Sequence, residues 1–257
     1  MTSAWPPTDE ARNDRIDAAL SDFLREHLLA PHYLGWLLDG WLVTVGASLL
    51  VAAGATLLGV VVAAGRSSSR PAWLRASGAY VSLFRNTPLL VQLFFWYFGA
   101  PSLLPEALRE GLLAGRFISF ELLSALLGLT LYAAAYVGED IRSGIRGVPV
   151  GQTLAAQALG FTRAQVLAQV VLPQALRIAL PPLLGQYMNI VKNTSLAMAV
   201  GLVELSYASR QVEAETFKTF QAFGVATLLY IVTIGAIELL AAWAARRQSL
   251  APGRARA

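Results

Sequence analysis

The sequence predicts an all-α membrane protein with five transmembrane helices, and three observations carry that prediction. Of the 257 residues, 56% are hydrophobic and only 14% are charged, whereas soluble domains carry about 25% charged residues. The apolar residues gather in long runs, and a helix needs ~20 such residues to cross a bilayer. Finally, the cationic residues concentrate in alternate connections between these runs, as the rule for cytoplasmic loops expects.

Five apolar runs are candidate spans. They are residues 42–64, 86–105, 121–139, 178–203 and 219–243. Two of the runs contain helix breakers: Pro88 lies early in the second, and Pro181, Pro182 and Gly185 lie in the fourth. We therefore expect discontinuous helices in these two spans.

The distribution of charge predicts the orientation in the membrane. One set of alternate connections holds Arg66, Arg70, Arg75, Arg142, Arg146, Arg163, Arg246, Arg247, Arg254 and Arg256. The other connections and the N-terminal segment mix cations with many acids, such as Asp9, Glu106 and Glu213. We expect the N-terminus outside and the C-terminus in the cytoplasm. The basic pI is therefore a signal of topology, and no nucleic-acid partner is expected.

The chain divides into a short outer segment, one transmembrane domain and a tail. Residues 1–40 lack the pattern of a signal peptide. An amphipathic helix on the outer surface is expected there, because apolar residues recur at helical spacing: Ile16, Leu20, Phe23, Leu24 and Leu28. Residues 41–247 form the transmembrane domain, and residues 248–257 form a cytoplasmic tail.

Several kinds of catalytic or cofactor site are not expected. The chain has no cysteine, and both histidines, His27 and His32, precede the first apolar run. A buried metal site or a histidine-based catalyst is therefore not predicted. The two lysines, Lys192 and Lys218, follow no glycine-rich phosphate-binding pattern, and no nucleophile elbow occurs. The chain is predicted to be neither an enzyme nor a nucleotide-binding protein.

A polar stretch over residues 149–173 predicts a helix pair between two spans. Pro149 suits a helix start, Gly160 suits the left-handed residue that ends a helix, and Thr162 with Gln165 matches a capping box that starts a second helix. Pro173 marks the entry to the next span. On its own, this pattern fits an ordinary interfacial helix pair.

The same stretch resembles the EAA loop of ABC importer permeases. The matching residues are Ala155, Ala156, Gly160, Leu172 and Pro173, while the glutamate of that family falls at Leu154. A second stretch, "FRNTPLLVQLFFWYFGAP" at 84–101, resembles polar amino-acid permeases of the histidine and glutamine type. Within that group, "NIVKNTSLAMAVGLVELS" and "RQVEAETFKTFQAF" look most like glutamate/aspartate permeases.

The resemblance implies a fold, a function and partners. The fold is that of a type I ABC importer permease, with a cytoplasmic coupling helix pair at about 149–173 that contacts an ATPase subunit. The implied partners are ATPase subunits that use ATP and Mg, a second and homologous permease chain, and a periplasmic or extracytoplasmic amino-acid-binding protein. The implied location is the bacterial inner membrane, and the implied cargo is glutamate or aspartate. Glutamine or another polar amino acid is the alternative.

Polar residues inside the spans are candidates for the substrate path, because ionisable groups in a membrane usually face a polar interior. They are Arg85, Thr87, Gln92, Gln186, Lys192, Asn193, Thr194 and Ser195. Equally, Arg85 and Lys192 could reach an interface or form ion pairs, and the two glutamines could link helices. A secondary transporter and a purely structural subunit are the rival classes, but no inverted repeat is found.

Overall fold

Long helices make up the framework of the chain. The computed structural model describes residues 29–115 and 118–249. Its α-helices are α1 (Pro31–Arg66), α2 (Pro71–Arg85), α3 (Leu89–Phe94), α4 (Glu106–Leu113), α5 (Phe120–Arg146), α6 (Val150–Ala158), α7 (Arg163–Gln165), α8 (Leu172–Thr194), α9 (Leu205–Thr216) and α10 (Thr219–Ser249). The predicted amphipathic helix over residues 16–28 and the tail after residue 249 lie outside the described residues.

Within the described residues, four helical segments are long and apolar enough to cross a membrane: Pro31–Arg66, Phe120–Arg146, Arg163–Val200 and Thr219–Trp243. The remaining predicted span, residues 86–105, is the apolar run Leu89–Leu103, and α2 precedes it as the first of two pieces. The first piece approaches the end of α1, where Ser77 lies against Gly65. The second reaches the start of α5, where the rings of Tyr97 and Phe120 lie 5.2 Å apart. Together the two pieces make the fifth passage through the bundle.

The centre of the bundle is the contact between α1 and α5. Gly54 lies against Thr130 and Gly59 against Val137, so the two helices run in the same direction. A methyl group added to Gly59 would lie 2.6 Å from Cγ1 of Val137. Lipid offers apolar helices no hydrophobic reason to associate, so close packing of small residues like these stabilises the pair.

The two ends of the bundle differ in charge. At the end that we call the basic end, Glu139 forms ion pairs with Arg66 at 2.8 Å and Arg142 at 3.2 Å. At the opposite, acidic end, the hydroxyl group of Tyr33 donates a hydrogen bond to Glu215 at 3.3 Å. Arginines from separate predicted connections thus meet at one end, in agreement with the alternation read from the sequence.

The expected discontinuity at Pro181, Pro182 and Gly185 is wrong. Helix α8 continues from Leu172 to Thr194 with both prolines inside it. Prolines are tolerated within membrane helices because neighbouring helices and side chains satisfy the carbonyl groups that they leave free. The helix leaves α geometry only after Thr194, where Ser195–Val200 forms a 3-10 helix.

Candidate functional site

The break in the second predicted span is confirmed, and Gln92 closes it. Helix α2 ends at Arg85 and α3 begins at Leu89, after Pro88. The side-chain amide of Gln92 approaches the carbonyl oxygens of Phe84 at 3.0 Å and Thr87 at 3.1 Å, and the hydroxyl of Thr87 at 2.7 Å. Gln92 is buried, and its side-chain amide satisfies the carbonyl groups of the break.

Arg85, the last residue of α2, points towards α5. Its guanidinium carbon lies 5.0 Å from the centre of the Tyr136 ring, within the range of a cation–π contact. The Tyr136 hydroxyl accepts a hydrogen bond from Tyr132 at 3.2 Å. Asp140, one helical turn after Tyr136, interacts electrostatically with Arg85 and by a hydrogen bond with Gln186 of α8. Arg85 and Gln186, both predicted from the sequence, therefore lie near one carboxyl group.

The sequence reasoning missed Asp140 and Tyr136. The predicted third span ends at Glu139, one residue before Asp140. A signal was available, because Asp140 lies four residues after Tyr136 and therefore on the same face of a helix. The sequence around Asp140 does not distinguish its role from that of Glu139, whose partners are Arg66 of α1 and Arg142 of α5.

The four polar residues 192–195 lie near the acidic end of α8. Lys192 is exposed on this chain, whereas Thr194 is fully buried. The hydroxyl groups of Thr194 and Ser195 donate to the carbonyl oxygens of Val191 and Lys192, at 2.8 and 2.7 Å. Asn193 lies inside the helix and does not cap a helix start. By helical rise these residues are ~9 Å beyond Gln186.

The loop after α5 has the local structure that its sequence predicts. Gly160 adopts a left-handed conformation with φ of 86°. The amides of Gly160 and Phe161 donate to the carbonyl groups of Gln157 and Ala156, which is the hydrogen-bond pattern that ends helices at such a glycine. Thr162 and Gln165 form the predicted capping box.

The second helix of the predicted pair is not a separate short helix. Helix α7 passes through a π-helical turn, Val166–Val171, directly into α8. Pro173 lacks an amide hydrogen and its ring clashes with the carbonyl group four residues earlier, which favours such a widened turn. The side-chain amide of Gln174 donates to the carbonyl group of Val170 at 2.9 Å. The loop is therefore continuous with α8, and no flexible connection separates a movement of the loop from a movement of that helix.

The outer surface of this loop is apolar and exposed. Leu154 is 59% exposed and Leu159 is 78% exposed, while Ala156 is the buried residue of α6. An open groove of about 510 Å³ separates α6 from the end of α5 and the π-helical turn, and Arg146 and Arg163 border it. Contiguous exposed apolar side chains with cations at the rim are typical of a protein–protein contact.

A buried acid at the other end was also missed. Glu204, at the N-terminus of α9, is fully buried. Its carboxylate accepts hydrogen bonds from Tyr230 at 2.8 Å, Thr44 at 3.2 Å and the amide of Tyr207 at 2.9 Å. Burial raises the pKa of Glu204 above its ordinary value, and these hydrogen bonds oppose that shift. The residue thereby joins α1, α9 and α10, and we call this group the Glu204 junction.

The comparisons with known proteins agree with this architecture. Residues 55–249 match the family described as "Binding-protein-dependent transport system inner membrane component", and the chain belongs to that family. It is a membrane-spanning permease subunit of the ABC importer class and not an enzyme, since ATP hydrolysis in these systems is done by a separate ATPase.

Two relatives show how far the similarity extends. The chain is 35% identical to the glutamate/aspartate import permease protein GltJ of Escherichia coli (strain K12), over 86% of this chain and 90% of the relative. It is 37% identical to the probable glutamine ABC transporter permease protein GlnM of Bacillus subtilis (strain 168), over 76% and 85%.

Solved structures confirm the predicted type I importer fold. The structure of "an amino acid ABC transporter with histidines" superposes with a TM-score of 0.73 and 26% identity, covering 84% of this chain and 95% of that one. An inward-facing MetNI methionine ABC transporter superposes with a TM-score of 0.71 at 18% identity, which concerns the fold alone.

Proposed function

We propose that the chain is the permease subunit of an ATP-driven importer of amino acids, with glutamate and aspartate as its cargo. The relatives support an amino-acid cargo, because their names include permeases for glutamate/aspartate, for glutamine and for histidine with basic amino acids. Since these relatives are about equally similar, the choice of acidic cargo rests on the chain's own residues. Glutamine is the second candidate, favoured by the relative of that name.

The observation that carries the acidic cargo is the sequence "VKNTS", residues 191–195. Lys192 is exposed and its neighbour Asn193 is neutral, whereas many resembling permeases have aspartate after this lysine. An uncompensated cation suits an anionic cargo. Two unit charges about 4 Å apart interact by roughly 4 kcal/mol at an effective dielectric constant near 20, before desolvation. Even about 1.4 kcal/mol of that would change affinity tenfold.

The loop of residues 149–173, which we call the coupling loop, is the proposed contact with the ATPase. Its exposed leucines Leu154 and Leu159 and its rigid connection to α8 support this role, as does the resemblance carried by Ala155, Ala156 and Gly160. Leu172 and Pro173 then form the end of the unit, where the π-helical turn enters α8. ATP binding and hydrolysis in the partner would move the loop, and α8 would carry that movement to residues 192–195.

The orientation and the other partners belong to the same proposal. The basic end, with Arg66, Arg142 and Arg146, faces the cytoplasm by the rule for cationic loops, which puts the N-terminus outside. Five passages enclose a gated path poorly, so a second permease chain completes it. An amino-acid-binding protein delivers the cargo at the acidic end, and ATP with Mg is used only by the ATPase.

The substitution Asn193→Asp tests the acidic cargo. In the assembled importer with its own binding protein, an added carboxylate beside Lys192 should lower glutamate and aspartate uptake about tenfold or more. Residual glutamine uptake should fall much less. Asn193→Ala is the control, because it removes the same amide without adding charge. An unchanged uptake profile in a normally expressed Asn193→Asp variant would return the cargo to an amino acid of unknown class.

The role as a permease subunit has its own test. The purified chain in lipid should hydrolyse no ATP, while a tagged chain purified from cells should bring an ATPase with it. Steady hydrolysis by a preparation free of other subunits, or uptake by the chain alone driven by an ion gradient, would contradict the proposal.

A further inference from the structure

Two neighbouring acids at the basic end of α5 have different environments. Glu139 forms ion pairs with Arg66 and Arg142. Among the side chains of residues 29–115 and 118–243, Asp140 has no ion pair shorter than 4 Å, and its Oδ2 atom is buried without a hydrogen-bond donor. A carboxyl oxygen left unpaired in an apolar bundle is costly and therefore marks a candidate for function.

The surroundings of Asp140 combine opposite charges on facing helices. Gln186 interacts with it from α8, and the charge of Arg85 acts on it from α2. Arg85 is exposed and is held over Tyr136 by a ring contact at 5.0 Å. Arg85 therefore lies one helical turn from Asp140 along α5, next to the break that ends α2.

We propose that Asp140 is the counter-ion of the α-ammonium group of the cargo, with Arg85 as the partner of its α-carboxylate. This rests on the proposed function only in requiring an amino-acid cargo, since every amino acid carries both groups. An ammonium group supplies three donors and a positive charge, which satisfies the unpaired Oδ2 atom and keeps the carboxyl group ionised. Because this atom is covered in the present conformation, the ammonium group reaches it when the helices shift during alternating access.

The rival explanation is that Asp140 pairs with Arg85 in another conformation and serves only the structure. The two explanations differ in their dependence on the cargo. An ammonium subsite discriminates between an amino acid and the analogue in which a hydroxyl group replaces the amino group. A structural pair affects both ligands alike.

The experiment measures binding of glutamate, glutamine and 2-hydroxyglutarate to the permease–ATPase complex in lipid nanodiscs, without the binding protein. The wild-type complex should bind glutamate at least about tenfold more tightly than 2-hydroxyglutarate, an energy of about 1.4 kcal/mol. Asp140→Asn should bind glutamate and 2-hydroxyglutarate about equally. Asp140→Leu is a second variant with the same expected result, and it removes the unpaired Oδ2 atom altogether.

Glu139→Gln is the matched control, because it removes the adjacent negative charge and should keep the preference for glutamate. A preference that survives in Asp140→Asn or Asp140→Leu would overturn the subsite and leave the proposed function intact. The wild-type complex could bind glutamate and glutamine equally while Asp140→Asn and Asp140→Leu both lose the preference for glutamate over 2-hydroxyglutarate. That result would correct the cargo and support the subsite. A wild-type complex that binds no amino acid would overturn both.

Discussion

The Glu204 junction and the coupling loop lie at opposite ends of the same bundle and are built in opposite ways. At the junction, Glu204 and Thr44 are fully buried and the carboxylate accepts from both side chains and backbone. In the loop, Leu154 and Leu159 are largely exposed and α6 buries little beyond Ala156. The junction is completed within the chain, whereas the loop leaves apolar surface that another subunit can cover.

This difference separates residues that stabilise the isolated chain from residues on its exposed apolar surface. Residues of the junction hold three helices together, so changes there should alter the stability of the isolated chain. Leu154 and Leu159 of the loop are largely exposed, so changes to them should leave the stability of the chain nearly unchanged and alter association with the ATPase. The two regions can therefore be told apart by measuring folding and assembly on the same variants.

The largest expected effect is the loss of transport in Gly160→Glu. The left-handed conformation of Gly160 costs a residue with a side chain about 1 kcal/mol or more. No atom lies within 4 Å of a β-carbon added there, so the chain itself should tolerate the volume. A large charged side chain on the exposed loop should instead prevent contact with the ATPase. The variant should insert normally in the membrane, yet neither transport nor co-purify with the ATPase.

Gly160→Asn provides the control for this prediction, because asparagine tolerates the left-handed conformation better than other residues with a side chain. It should retain the ATPase and a substantial part of the uptake. Normal transport by Gly160→Glu would show that the loop is not the contact that the proposal assigns to it.

The second expected effect is a loss of stability in Glu204→Ala. Removal of the carboxylate leaves the hydroxyl group of Thr44 and the amide of Tyr207 without their acceptor, while the hydroxyl of Tyr230 keeps that of Ser206 at 3.0 Å. Buried groups left unpaired cost about 1–3 kcal/mol each, so a total loss of about 3 kcal/mol or more is expected. Thermal unfolding of the purified chain in detergent measures it.

Leu159→Ala sharpens the same comparison from the other side. Leu159 is 78% exposed, so its truncation should change the stability of the chain by less than about 0.5 kcal/mol. Association with the ATPase should nevertheless weaken. If Leu159→Ala destabilised the isolated chain as much as Glu204→Ala, the distinction between a closed junction and an open loop would fail.

The junction should also make stability depend on pH. Burial raises the pKa of Glu204 above its ordinary value of 4.5, so the folded chain binds this proton more tightly than the unfolded chain. The contribution of Glu204 to the free energy of unfolding is therefore full below the ordinary pKa of 4.5. It falls as the pH rises towards the raised pKa and is constant above that pKa. The difference in thermal midpoint between wild type and Glu204→Gln, measured from about pH 4 to about pH 8, isolates this group. A difference that does not vary with pH would contradict the shift.

Local chemistry predicted the loop better than it predicted either buried acid. Gly160 and the Thr162–Gln165 capping box depend on neighbours within a few residues, which the sequence displays directly. Two of the donors to Glu204, the hydroxyl groups of Thr44 and Tyr230, are 160 and 26 residues away along the chain, so no local pattern indicates them. The same holds for the prolines at 181 and 182, because the cost of a proline in a helix depends on the helices around it.

The smallest expected effect concerns the capping box at the start of α7. The hydroxyl of Thr162 accepts from the amide of Gln165, and the side chain of Gln165 accepts from the amide of Thr162 at 2.9 Å. Thr162→Ala removes the first of these bonds and should cost about 1 kcal/mol, which corresponds to roughly fivefold in an equilibrium constant. Because α7 continues into α8, the fraying should stay within the first turn and leave the rest of the helix folded. Hydrogen exchange of the Gln165 amide should accelerate about fivefold, and ATPase association should weaken by no more than that.

Ser119→Ala removes a comparable cap from α5 at the acidic end and should leave ATPase association unchanged. Equal weakening by both variants would show that association responds to general helix stability and not to the shape of the loop.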